Sequence, residues 1–333
     1  MLFFVVCACF ALYPEAVLYG AQSGLALCIN AVIPSLLPFM VVSACIIKSG
    51  FSHPLGAALG KVLSPLTGMS QNGTVCFITG LVGGYGAGAR AALESYNAGQ
   101  ITKAEAERLL AFCNNAGPLF VIGTVGIGFF NDKNIGIMLF IVQVITALIC
   151  ARIFSGNFRG ENQKIRDKWD FYIKNKPSAG GLITRSAIES GSAIITACVF
   201  VITFCAILEI LPFGSYTFLS GILEVTRGSA EMSRHGITAL PWISALLSWG
   251  GMSVHLQANA LCEGKFSMKT YYIGKVVAAI IAFFMTKLIF TDKYTFLFAV
   301  VIIGAVSLCI SFIARLFSPK YIQRPLFRQQ RHS

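Results

Sequence analysis

The residues best suited to chemistry in this chain are polar groups set into apolar sequence. Phe112-Cys113-Asn114-Asn115-Ala116-Gly117-Pro118-Leu119-Phe120 places two carboxamides inside an otherwise apolar stretch. Pro118 removes a backbone donor and steers Gly117 out of helical geometry, so a helix breaks here and leaves carbonyls free. Asn114 and Asn115 each donate and accept, which suits a polar solute or a coupling cation. The alternative is that they simply hydrogen-bond a neighbouring helix.

Two further stretches interrupt apolar runs with a glycine pair. Leu81 through Arg90 contains Gly83, Gly84 and Tyr85, and Leu247 through Gln257 contains Gly250 and Gly251. An unpaired backbone group in hydrocarbon costs several kcal/mol, so unwound backbone survives only where protein or water covers it. Such breaks let the chain approach a ligand closely and point half-helix amides at anionic groups. Small-xxx-small packing through Gly80, Gly84 and Gly88 is the competing reading, and the duplication of the pair favours the first.

Ionisable groups in apolar context are functional candidates because burying them unpaired is costly. Arg90, Glu189, Glu209, Glu224, Glu231 and His255 qualify. Arg90 pairs with either a substrate carboxylate or Glu94 one turn on. His255 and Gln257 follow the second glycine pair and complete a polar pocket, with packing as the alternative. Glu189 reads as a surface carboxylate near a helix start, and Glu209 as the end of a helix before Leu211-Pro212. Thr102 and Glu105 form a capping box, with Lys103, Glu105, Glu107 and Arg108 on a solvated face. Enzymatic chemistry is not expected: there is no Ser-His-Asp order, Walker loop, HExxH or paired-carboxylate spacing.

These groups must be held by membrane helices. Of 333 residues, 56% are hydrophobic and 12% charged, with a mean hydropathy of +0.72, whereas soluble domains carry about 25% charged residues. Apolar runs predict crossings at 2–19, 24–48, 72–92, 109–130 and 134–154, then at 186–211, 238–262, 271–291 and 294–317. The first run lacks the basic flank of a signal peptide, so it is read as a retained helix. The net charge of +12 concentrates between Ser155 and Arg185 and in the tail, placing both in the cytoplasm and the N-terminus outside. Nucleic acid is thereby excluded as the partner. The eleven cysteines show no Cys-x-x-Cys and behave as small hydrophobes, so no metal site is expected.

The order long helix, short amphipathic piece (Pro54–Gly68, Tyr216–Gly228), Gly-Gly break occurs twice with an odd number of crossings between. The expected fold is therefore an all-α polytopic membrane protein of two inverted repeats with broken or re-entrant helices. Residues 1–154 form the first half, 155–185 a basic loop, 186–317 the second half and 318–333 a basic tail.

The residues carry a resemblance. Pro34-Ser35-Leu36-Leu37-Pro38-Phe39, Gly83-Gly84-Tyr85 through Gly88-Ala89, Phe112 through Phe120 and Trp249-Gly250-Gly251 through Gln257 are similar to those of sporulation integral membrane proteins of the YlbJ type. That family carries the Gate or nucleoside-recognition domain. It shows Gly-Tyr-Pro-x-Gly-Ala-Lys in the first break, where this chain has Gly86 for the proline and Arg90 for the lysine.

The resemblance implies a concentrative-nucleoside-transporter-like fold in a bacterial cell membrane, the outer forespore membrane if the source forms spores. It also implies transport of dipicolinate. A dipicolinate-like anion would then meet Gly83, Gly84, Tyr85, Arg90, Asn114, Asn115, Gly117, Gly250, Gly251, His255 and Gln257. No cofactor is expected, Na+ and H+ are the candidate coupling ions, and the partners are the lipid bilayer and the solute, with homo-oligomers left open. A nucleoside-like carrier and a non-transporting protein of spore envelope assembly are the alternatives.

Overall fold

A computed structural model describes residues 2–49, 51–97, 99–154, 178–211 and 217–291. The expected crossing 294–317, the tail 318–333, Pro212 and the 155–177 part of the basic loop lie outside the described residues.

Every regular element among the described residues is helical. α1 (Leu2–Leu12) is followed by α2 (Pro14–Leu27), which runs through a π-helical turn (Cys28–Val32) into α3 (Ile33–Lys48). Next come α4 (Ser52–Thr67), α5 (Gln71–Gly83), α6 (Ala87–Asn97), α7 (Lys103–Cys113), a π-helical segment (Leu119–Phe129) and α8 (Lys133–Phe154). The second part contains α9 (Ala179–Ile210), α10 (Thr217–Leu223), α11 (Val225–Ser233), α12 (Leu240–Trp249), α13 (Gly251–Leu261) and α14 (Lys269–Thr291). Among the described residues five stretches are long and apolar enough to cross a membrane: Pro14–Val42, Lys133–Phe154, Ala179–Ile210, Gly236–Leu261 and Lys269–Ile289.

Two expectations for the first part change. The crossings drawn at 2–19 and 24–48 become a short helix and one longer span, because Pro14 starts a helix as readily as it ends one. The crossing drawn at 72–92 is a hairpin. α5 and α6 lie side by side: Asn72 donates from Nδ2 to the Gln100 carbonyl (2.9 Å) at the open end, and Cys76 Sγ lies 3.4 Å from Ser95 Oγ. Gly80 and Gly88 face each other against the Cys113 carbonyl, where a Cβ on either would overlap that backbone.

α10 and α11 make a second, shorter hairpin. Ser220 Oγ donates to a Glu231 carboxylate oxygen at 2.6 Å, and Gly221 and Gly228 pack back to back. Each hairpin is followed by a helix broken midway and then by an unbroken one. In the first part these are α7 with the π-helical segment, then α8; in the second they are α12 with α13, then α14. α9 lies along α2 and α3 on one flank, with Gly20 and Gly24 of α2 close against its Ile202, Cys205 and Ala206. α14 packs along α12, α7 and α8 on the other.

Candidate functional site

The two hairpin tips and the two helix breaks meet in the interior. At the first tip Gly84 and Gly86 both take positive φ (81° and 83°), which an L side chain rarely adopts, and so the chain reverses over three residues. The turn leaves the Gly86 amide free, and it donates to Asn114 Oδ1 at 2.5 Å. Gly84 lies against Gly117 in the first break. Tyr85, between the glycines, donates its hydroxyl to the Leu247 carbonyl at 2.6 Å, near the end of α12.

The second tip is Glu224. Its backbone is extended (φ −138°, ψ 111°) and its fully buried carboxylate accepts the Arg227 amide at 2.6 Å, capping α11. Gly251, which opens α13, packs directly against Leu223, Glu224 and Val225. Each tip thus rests on the break of a helix from the other part or its own.

A small cavity of about 30 Å³ lies between the tips, with Tyr85, Glu224, Thr226, Ser253 and Gln257 as its polar lining and Leu36, Phe120 and Val201 among its apolar walls. That volume holds one or two waters and no aromatic solute.

The predicted residues divide in three ways. Gly84, Tyr85, Asn114, Gly117, Gly250, Gly251 and Gln257 are brought together, and Gly83 ends α5 just before the tip. His255 is one shell further back: its Nδ1 is 2.8 Å from the Tyr271 hydroxyl, which also accepts from Asn114 Nδ2 at 3.3 Å. Its ring lies edge-on to Trp249, Tyr271 and Tyr272.

Two residues go elsewhere. Asn115 turns back and donates to the Phe112 carbonyl of its own helix end (2.7 Å). Arg90 points away from the cavity and pairs with Glu94 (3.1 Å) and with Glu189 of α9, which also binds Lys48 and Arg185. Arg90 sits a turn past the tip, and a helix turn rotates it onto the outer face of the hairpin. Glu189 is accordingly an ion-pair hub and not a lone surface carboxylate.

The glycine pairs also differ from the expected correspondence. Gly84 reverses a chain, whereas Gly250 (φ 93°, ψ −15°) closes α12 through a Leu246 carbonyl bond and α13 resumes at once. By element order, Gly84–Gly86 answers to Glu224 and Asn114–Pro118 answers to Gly250. Glu105, expected on a solvated face, is 1% exposed and accepts the Ser70 amide at 3.1 Å. It ties the first turns of α5 and α7 together, where a carboxylate is favoured by both helix dipoles.

Sequence reasoning missed three participants. Arg227 binds Glu209 of α9 (2.9 Å) and Glu231 (2.8 Å), holding the second hairpin as Arg90 holds the first. Tyr271 connects Asn114 with His255. Lys275 of α14 is 1% exposed and donates to the carbonyls of Asn114 and Ser248 (3.3 Å for the latter). Its signal was present, a lone lysine inside an apolar run.

Fold and site together define a multi-pass integral membrane protein whose helices are interrupted at a shared polar centre. No family model matches the chain, and no solved structure matches it. Among curated proteins it is similar to the sporulation integral membrane protein YlbJ of Bacillus subtilis (strain 168), at 26% identity over 325 residues, covering 85% of this chain and 80% of that protein.

Proposed function

We propose that the chain is a carrier for a small polar organic solute, with its site between the two hairpin tips. The observation that supports this reading most is the meeting of two tips, each resting on a helix break, at one small cavity, since irregular backbone inside a membrane protein is tolerated only where protein buries it or it lines a water-filled cavity. We further read the two parts as inverted copies of a Gate-type unit. The first hairpin opens beside the end of α13, where Lys265 reaches Asn97 (3.3 Å) and Glu107 accepts the Ser267 amide (2.9 Å). The second opens beside the start of α12, so the two enter from opposite ends of that broken span.

The similarity to a sporulation protein favours dipicolinate as the solute and the outer forespore membrane as the location. The N-terminal turn of α13, whose Ser253 lines the cavity, supports an anion. One observation favours the second reading, a nucleoside-like solute: the carboxyl group in the cavity wall is that of Glu224, while Arg90 is engaged elsewhere. Uptake of labelled dipicolinate and uridine into proteoliposomes, with the wild-type chain and Glu224→Gln, separates them. Dipicolinate is expected to accumulate and the variant to carry it faster, by up to roughly tenfold if about 1.4 kcal/mol of repulsion is relieved. Uridine uptake that Glu224→Gln abolishes would establish the second reading, and flux of neither solute would point to a structural role in the spore envelope.

A further inference from the structure

The most unusual group in the interior is Lys275. Its ammonium touches the two helix breaks at once, through the carbonyls of Asn114 and Ser248. Asn114 closes α7, and the residue four places on is Pro118, which has no amide to give back. Ser248 stands in the last turn of α12, just before the kink at Gly250. Both carbonyls therefore belong to the orphan acceptors of helix C-termini, where the helix dipoles are negative. Among the described residues no carboxylate lies within ion-pair distance of Lys275. The positive charge is balanced by carbonyl dipoles instead.

Orphan carbonyls at the ends of interrupted helices are the ligands that hold a coupling Na+ in carriers of this architecture. Hard oxygen ligands of this kind are satisfied equally by a metal cation or by an ammonium. We propose that Lys275 is a tethered cation standing where a coupling Na+ would otherwise bind, so that these two breaks hold no sodium site and the chain moves its solute without drawing on a sodium gradient. The flux half of this statement rests on the carrier reading above; the occupancy half does not.

The test begins with the purified chain, by thermal unfolding in NaCl and in choline chloride at equal ionic strength. The wild-type midpoint is expected to be the same in both. Lys275→Ala removes the donor from two buried carbonyls, and its midpoint in choline should fall by roughly 5 °C or more. NaCl should then restore part of that loss where choline does not. Lys275→Met refills the volume with an apolar chain and should be equally insensitive to both salts.

A wild-type midpoint raised by Na+ overturns the proposal, as does a folded Lys275→Ala with no response to it. Should Lys275→Ala not fold, the wild-type comparison decides alone. In proteoliposomes, uptake should be unchanged when choline replaces Na+, and accumulation driven by a sodium gradient overturns the proposal. A chain that moves no solute under any condition removes the carrier reading, while the thermal comparison still decides whether Lys275 fills a cation site.

Discussion

The two hairpins solve the same problem with different chemistry. The first reverses its chain through glycines, leaves its tip amide unsatisfied, and has that amide received by Asn114 of another element. The second reverses at Glu224, whose own carboxylate caps the helix that follows, while the Ile222 carbonyl beside it accepts Trp249 Nε1 of α12 at 3.1 Å. The first has arms of 13 and 11 residues and packs among α3, α4 and α7, whereas the second has arms of 7 and 9. A tip that depends on its surroundings for hydrogen bonds is fixed to them. The second tip supplies its own cap and depends on them less. The difference makes the second hairpin the less firmly held of the two.

The strongest way to break that comparison is to force the arms apart. Gly80→Ala puts a Cβ into the carbonyl of Cys113, on a separate helix in the core, and no folded protein is expected by size-exclusion chromatography. Gly228→Ala puts one onto Gly221 within its own two-arm hairpin. It should stay folded at an overpacking cost of about 1–3 kcal/mol, with faster hydrogen exchange confined to 217–233. Equal damage from both would erase the distinction.

A gentler test uses the two arginines. Arg227→Met strands the carboxylates of Glu209 and Glu231 and should cost about 2–3 kcal/mol by thermal unfolding. Arg90→Met leaves Glu189 with Lys48 and Arg185, so a loss of less than about 1 kcal/mol is expected. Of comparable size, Tyr85→Phe removes the bond to Leu247 between the first tip and α12. Its cost should be about 1 kcal/mol, with the cavity kept.

Several of these features were readable beforehand. Pro38 and Pro65 are carried inside helices, but at Pro118, preceded by Gly117, the helix does break, as the Gly-Pro pair predicts. The N-cap half of the capping box forms, with Thr102 Oγ1 accepting the Glu105 amide at 3.2 Å, while the Glu105 carboxylate takes the Ser70 amide. What the sequence could not convey was direction. A glycine pair after an apolar run looks the same whether the chain reverses, as at Gly84, or merely kinks, as at Gly250, because the outcome is decided by what lies across from it. Gly88 is eight residues from Gly80 and Gly228 seven from Gly221, and those flanking pairs mark a reversal once both arms are known to meet. Arg90 and Lys275 failed in opposite senses. Arg90 drew attention by adjacency to the break but faces outward, and Lys275 is distant in sequence yet completes both breaks through the packing of α14.

The pairs that hold the two hairpins share one helix. Glu189 and Glu209 stand twenty residues apart on α9, about 30 Å at 1.5 Å per residue. That distance matches the thickness of the hydrocarbon core. Upright in a bilayer, α9 would place one pair at each headgroup boundary, where water is at hand to receive the separated charges. Were the second hairpin to swing, Arg227 would exchange its carboxylates for hydration without crossing oil, and the energetic toll of opening would be that of a solvated contact at that boundary.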